Sequence, residues 1–126
     1  MARRTPVHTP HAPAPAGAYS QAVVARDLVF TAGFGPQDPQ TGRIPPSVEE
    51  QTRQALRNVE AALEAAGAGL ADVVKTTVHL ARLSDWAAFD AAYRSVMPEP
   101  LPARTTVGSE LPGILVEIDA VAVLGE

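Results

Sequence analysis

An arginine and a pair of acidic residues near the C-terminal end of the chain have the types and spacing of a small-molecule site. Arg104 lies in the tripeptide PAR, where its planar guanidinium could hold a carboxylate through two parallel hydrogen bonds. Glu117 and Asp119 are two residues apart in the run LVEIDAVAV, so on a strand both would project from one face. From the residues alone, a surface salt bridge remains the competing interpretation of Arg104.

The elements that would position these residues follow from the apolar pattern. Two runs, 21–25 and 28–32, flank Arg26-Asp27 and predict a tight hairpin, and a loop rich in glycine and proline follows over 33–46. Ser47 is a plausible N-cap for a helix whose apolar residues recur every three or four positions, with Gly67 and Gly69 at its end.

The second half of the chain alternates strand and helix. A β-branched run predicts a strand over 73–80, with Val74 on the face of Thr76 and Val73 on the other face. A helix is expected from Ser84 to about Met97, followed by strands over 103–107 and 115–123. The predicted order is β-β-α-β-α-β-β, an α+β sandwich with both helices on one face of a mixed sheet.

Length and composition narrow the class of protein. The chain has 126 residues, 46% of them hydrophobic, which is enough for one globular domain and excludes a wholly disordered chain. It has no cysteine, so a thiolate nucleophile and a disulfide framework are excluded. A net charge of −4 and a pI of about 5.3 disfavour nucleic-acid binding. No apolar run is long enough for a membrane helix or a secretory signal, and we expect a cytoplasmic protein.

The N-terminal segment is set apart by four prolines within residues 1–16. We predict a flexible tail there and a single domain over 17–126. His8 and His11 lie in this segment, and two histidines are too few for a metal site. No metal or other cofactor is predicted.

The sheet face that the helices leave open has two interpretations. It could be solvated, since Glu117 and Asp119 lie on it. The same face would also carry four apolar side chains, those of Val73, Leu115, Val121 and Val123. It would then be too apolar for full exposure to solvent, which favours burial by another subunit. His79 is expected there as a surface or interface side chain, because no acidic partner is evident nearby.

Several segments resemble the RidA/YjgF family over residues 16–124. They are GAYSQAV (17–23), LVFTAGFGPQDPQTG (28–42), the run over 51–86, PARTTV (102–107) and VEIDAVAV (116–123). The resemblance implies a chorismate-mutase-like fold and a homotrimer with clefts between subunits. It also implies hydrolysis of reactive 2-imino or enamine acids to 2-keto acids and ammonia, without a cofactor.

The resemblance also assigns roles to individual residues. Arg104 matches the arginine that pairs with the substrate carboxylate, and Glu117 matches the acid that activates the attacking water. The matching pocket residues are Tyr19, Ala32, Gly33, Phe34, Trp86 and Thr106. Three of these depart from the usual family residue: Thr106 replaces a cysteine, Ala32 a serine and Phe34 a glutamine.

The implied mechanism sets a geometric condition. For Arg104 and Glu117 to act on one substrate molecule, both side chains must project from the same sheet face. If their strands pair antiparallel, the numbers of aligned residues must sum to an odd value, such as 104 with 117, and a register shifted by one residue would place the two side chains on opposite faces. Two other functions remain open: a non-catalytic trimer that binds small carboxylates such as 2-keto acids, and a ribonuclease or translation inhibitor, which the acidic charge and the lack of a basic, aromatic surface disfavour.

Overall fold

The computed structural model describes residues 3–125 as one six-stranded sheet with two α-helices. The strands are β1 (Thr5–Val7), β2 (Ala22–Ala25), β3 (Leu28–Thr31), β4 (Val73–Leu80), β5 (Ala103–Gly108) and β6 (Val116–Val123), and the helices are α1 (Val48–Ala65) and α2 (Trp86–Val96). The strand order is β1-β2-β3-β6-β4-β5, with only β4 and β5 parallel. The predicted α+β class and mixed sheet are confirmed.

Short sequence patterns predicted most of these strands and helices correctly. Arg26 closes the β2–β3 hairpin with a φ of 57°, a left-handed conformation suited to a two-residue turn. Ser47 caps α1, its Oγ accepting a hydrogen bond from the Glu50 backbone N–H at 3.1 Å. Gly67, with a φ of 93°, ends the helix as expected. A 3₁₀ turn over Leu83–Asp85 moves the start of α2 to Trp86.

Both helices cover the same sheet face, and the core lies between them and the sheet. Directly aligned residues of neighbouring strands share a face, so Thr76 of β4 lies between Ala120 of β6 and Arg104 of β5 on the helix-covered side. Thr76 and Ala120 are buried there. The predicted faces of β6 are therefore confirmed.

The predicted faces at the start of β4 were wrong. A register shift between Val73 and Lys75 lets Val73 pack into the core, while Val74 is 47% exposed. Strict alternation assumes an unbroken strand and cannot anticipate such a bulge. Beyond it, Lys75, Thr77 and His79 lie on the open face, as expected.

The N-terminal segment differs from the flexible tail predicted for residues 1–16. Over its described residues, 3–16, β1 pairs with β2, and Val7 and Ala12 are buried in the core. The Gln21 side chain, only 2% exposed, fastens the segment: its amide NH₂ lies within hydrogen-bond distance of the Thr9, Ala12 and Pro13 carbonyls, and its oxygen accepts from the Thr9 N–H. One buried amide thus satisfies backbone groups that proline-rich sequence leaves without helix or sheet partners.

Candidate functional site

Arg104 is held rigidly on the helix-covered side of edge strand β5. Its Nη1 donates to Asp90 Oδ1 of α2 at 2.8 Å, and its Nε donates to Thr106 Oγ1 at 2.9 Å. The Arg104 and Asp90 side chains are 18% and 23% exposed, so the pair is largely shielded from water. A charge-assisted bond in such surroundings fixes the plane of the guanidinium.

Three aromatic rings surround this guanidinium. Its central carbon lies 4.8 Å from the ring centroid of Tyr93, 5.2 Å from that of Phe89 and 5.5 Å from that of Trp86. These distances suit cation–π attraction. Burial raises the pKa of Tyr93, against the opposing effects of a 2.8 Å hydrogen bond with Thr76 and of nearby Arg104, so the phenol stays neutral beneath the cation.

A pocket of about 340 Å³ opens beside the guanidinium, and we call it the arginine pocket. It is lined by Trp86, Asp90, Tyr93, Arg94, Leu101, Pro102 and Arg104. Trp86 is 45% exposed and forms part of the rim, whereas the other two aromatic residues of the predicted stripe, Phe89 and Tyr93, are buried. Among residues 3–125, Arg104 Nη2 has no hydrogen-bond partner, so this nitrogen remains available to a ligand.

Glu117 lies in a second pocket, of about 370 Å³, which we call the glutamate pocket. It is lined by Pro13, Ala14, Ala16, Tyr19, Gly33, Phe34, Gly35, Gln37, Leu111, Pro112, Ile114 and Glu117. Gly33 lies directly against the carboxylate, since a Cβ there would stand 2.6 Å from Glu117 Oε2. The absence of a side chain at Gly33 therefore leaves the room that the Glu117 carboxylate occupies.

The N-terminal segment forms one wall of the glutamate pocket. Pro13, Ala14 and Ala16 line it beside Tyr19, whose hydroxyl accepts a 3.0 Å hydrogen bond from the Ala16 N–H. Tyr19 is 51% exposed and stands at the surface. The segment anchored by Gln21 is therefore part of the candidate site.

The remaining predicted pocket residues do not all lie in the same pocket. Phe34 lines the glutamate pocket but is buried, and its backbone forms an isolated bridge with Ile118, beside Glu117. Ala32 is not among the lining residues of either pocket. Thr106 bonds to Arg104 through its hydroxyl and so belongs with the arginine side of the site.

The structure does not bring Arg104 and Glu117 together within one chain. Strands β5 and β6 do not pair, because β4 lies between them. Arg104 aligns with Thr76 of β4, whereas Glu117 aligns with His79, three residues along, and an odd offset places the two on opposite faces. The condition of a shared face is therefore not met within a single chain, because the two strands are not neighbours and do not pair.

Several polar and charged side chains surround His79 on the open face of the sheet. Its Nδ1 is 2.8 Å from Ser109 Oγ, and the residue aligned with it on β6 is Glu117. Burial raises the pKa of Asp119, with the charges of His79 and Lys75 acting in the opposite direction. The expectation that no acid lies near His79 was thus wrong, since β6 brings two carboxylates to its side.

Asp90 is the site residue that sequence reasoning missed. It lies four residues after Trp86, one helical turn along, so the periodicity that identified the aromatic stripe also places Asp90 beside it. Its pairing with Arg104 spans fourteen residues and depends on α2 packing over β5.

Comparisons with known proteins place the chain in a family. Residues 9–124 match the family model described as Endoribonuclease L-PSP. The chain belongs to this family, which includes the YjgF/RidA proteins. It is 45% identical over 119 residues to a RutC family protein of Pyrococcus horikoshii, covering 92% of this chain and 94% of the relative. It is 41% identical over 122 residues to the 2-iminobutanoate/2-iminopropanoate deaminase of Escherichia coli K12, covering 93% and 95%.

Solved structures agree with this assignment. The chain matches E. coli TdcF with bound serine at a TM-score of 0.90 and 36% identity, covering 96% of this chain and 99% of that one.

Among residues 3–125, neither helix has the length and hydropathy needed to cross a membrane. The same residues contain no group of three or more His, Asp or Glu side chains placed to hold a metal ion.

Proposed function

We propose that this protein hydrolyses reactive 2-imino acids to 2-keto acids and ammonia in clefts built by two copies of the chain. The observation that carries the proposal is Arg104, which is held by Asp90 and Thr106, lines a small pocket and has no partner for Nη2 within residues 3–125, in a chain 41% identical to a protein named as an imine deaminase. A fixed guanidinium of this kind is suited to a small carboxylate.

The position of Arg104 and Glu117 on opposite faces of the sheet supports a site that two copies of the chain share. In a head-to-tail contact, one surface of a chain meets a different surface of the next, and such contacts generate a closed ring when the rotation between copies closes. The arginine pocket of one copy could then face the glutamate pocket of its neighbour. The open sheet face is suited to burial, because Phe30, Val107 and Val123 are exposed on it. The assembly we propose is the homotrimer that the family resemblance implies.

The proposed reaction needs no metal and no covalent bond between enzyme and substrate. Arg104 binds the substrate carboxylate and so fixes the position of the adjacent imine carbon. Glu117 accepts a proton from a water molecule as its oxygen adds to that carbon, which forms a tetrahedral carbinolamine. Transfer of a proton to nitrogen and cleavage of the C–N bond release ammonia and leave the 2-keto acid.

Turnover of an imine tests this proposal. An amino acid oxidase would generate a 2-imino acid in situ, and the acceleration of keto-acid and ammonia release above the spontaneous rate would be measured. Purified protein should accelerate release, and the Arg104→Gln and Glu117→Gln variants should each lose about 100-fold or more. Undiminished turnover by Arg104→Gln would refute the assignment. Glu64→Gln, a neutralised exposed carboxylate on α1, is the control.

A carboxylate-binding function without catalysis is the second candidate. The contacts that fix Arg104 come from Asp90, Thr106 and the aromatic rings, none of which depends on Glu117. The arginine pocket could therefore bind a 2-keto acid without hydrolysing anything. Binding of 2-oxobutanoate without any acceleration of imine hydrolysis would favour this candidate.

A further inference from the structure

We propose that Asp90 sets the strength and selectivity of carboxylate binding by offsetting the charge of Arg104. This inference rests on the proposed function only in taking Arg104 as the carboxylate anchor. Asp90 acts through the arginine and is a positioning and specificity-determining residue, not a catalytic one.

The geometry of the guanidinium is the first argument. Three nitrogens form its fork, and two of them are already used: Nη1 by the Asp90 carboxylate and Nε by the Thr106 hydroxyl. A ligand carboxylate is left with Nη2 and any hydrogen atom not engaged by those contacts. An arginine without protein partners can donate two parallel hydrogen bonds to a carboxylate, whereas Arg104 already uses some of those donors within the protein.

Charge is the second argument. A ligand carboxylate beside Arg104 would also stand near the negative charge of Asp90, since both side chains line the same pocket. Arg94 offsets Asp90 only weakly, because its Nη2 is 3.9 Å from Asp90 Oδ2 and its side chain is 67% exposed. Asp90 therefore weakens the attraction that Arg104 exerts on any anion. A doubly charged ligand would feel this repulsion more strongly than a singly charged one.

The substrate class follows from these two arguments. The arginine pocket should select small monocarboxylates and discriminate against dicarboxylates. Its volume of about 340 Å³ and its aromatic rim, Trp86, are compatible with a short apolar substituent.

Two substitutions separate the charge of Asp90 from its hold on Arg104. Asp90→Asn keeps an oxygen that can accept from Nη1 but removes the negative charge, whereas Asp90→Ala removes both. Affinities for 2-oxobutanoate and 2-oxoglutarate would be measured by calorimetry on the full-length protein at low salt. Asp90→Asn should bind 2-oxobutanoate roughly three- to tenfold tighter than the parent, with a larger gain for the dianion. Asp90→Ala should bind both ligands more weakly than Asp90→Asn does.

The controls make the inference falsifiable. Glu64→Gln, at an exposed position of α1 that does not line the pocket, produces the same change in net charge and should leave both affinities unchanged. In an Arg104→Gln background, Asp90→Asn should give no gain, because its effect acts through the arginine. An Asp90→Asn variant that binds 2-oxobutanoate no tighter than the parent, or no detectable binding by either protein, would overturn the inference.

Failure of the proposed function has a different signature. If no protein accelerates imine hydrolysis but Asp90→Asn still tightens binding in an Arg104-dependent way, the hydrolase proposal fails and the role of Asp90 stands. Should Asp90→Asn unfold, the thermal transition would reveal it, and Asp90→Ser would replace it as the charge-neutral variant, with the same tighter binding expected relative to Asp90→Ala.

Discussion

Arg104 and Glu117 project from opposite faces of one sheet, separated by strand β4. Each is the centre of its own pocket, and each pocket contains residues that the other lacks. A reaction that uses both side chains therefore requires a second copy of the chain.

Gly33→Ala should disable Glu117 without unfolding the protein. The added Cβ would stand 2.6 Å from Glu117 Oε2, so the carboxylate would have to rotate away. We expect a loss of imine hydrolysis of about tenfold to 100-fold, since small displacements of reacting groups are costly. Gly69→Ala is the matched control, because a Cβ there meets nothing within 4 Å. Full activity of Gly33→Ala would show that the Glu117 position is not critical.

Thr106→Val should weaken carboxylate binding, because losing a contact that fixes the guanidinium outweighs the one nitrogen that the substitution frees. Valine has nearly the shape of threonine but cannot accept the 2.9 Å bond from Arg104 Nε. Affinity for 2-oxobutanoate should fall by roughly three- to tenfold, which corresponds to about 1 kcal/mol, the net contribution of one typical hydrogen bond. Thr106→Ser, which keeps the hydroxyl, should restore most of the affinity. Equal binding by the valine and serine variants would contradict this role.

Gln21→Leu should destabilise the protein and loosen the wall of the glutamate pocket. The substitution would leave the buried carbonyl of Ala12 and partly buried backbone groups of Thr9 and Pro13 without their partner. We expect a loss of about 2–3 kcal/mol in the free energy of unfolding, measured in urea. Hydrogen exchange near Thr9 should also accelerate. The control is Gln40→Leu at an exposed position, and equal stability of the two variants would refute the anchoring role.

Asp119→Asn should stabilise the protein at neutral pH but not in acid. The pKa of Asp119 is raised by burial, so the folded state holds this proton more tightly than the unfolded chain does. The cost of ionisation is absent below the unfolded pKa and grows as pH rises through the folded pKa. The variant should gain at most about 0.5 kcal/mol at pH 7 and nothing near pH 3. Glu110→Gln, on an exposed loop, should show no such difference, and a gain that is equal at both pH values would argue against burial as the cause.

Sequence reasoning succeeded where short-range patterns decide the structure. The Ser47 cap, the Arg26 turn and the alternation along β6 depend on neighbours within a few residues. Sequence reasoning failed where contacts between distant segments of the chain decide the structure. Within the described residues 3–16, the segment is held by Gln21, whose partners lie up to twelve residues away. The faces of Arg104 and Glu117 depend on which strand lies between β5 and β6. The role of Asp90 likewise required the packing of α2 over β5 to be known.

Complementation between inactive chains tests the shared site most directly. Arg104→Gln and Glu117→Gln chains would be coexpressed with different tags, and mixed oligomers carrying both tags would be purified and assayed for imine hydrolysis. In every mixed trimer, one of the three clefts combines Arg104 from one chain with Glu117 from the other and regains both side chains, so about one third of parental activity is predicted for the purified mixed trimers, although each variant alone is nearly inactive. Mixed oligomers as inactive as the separate variants, or a parent protein that is monomeric and fully active, would contradict the account.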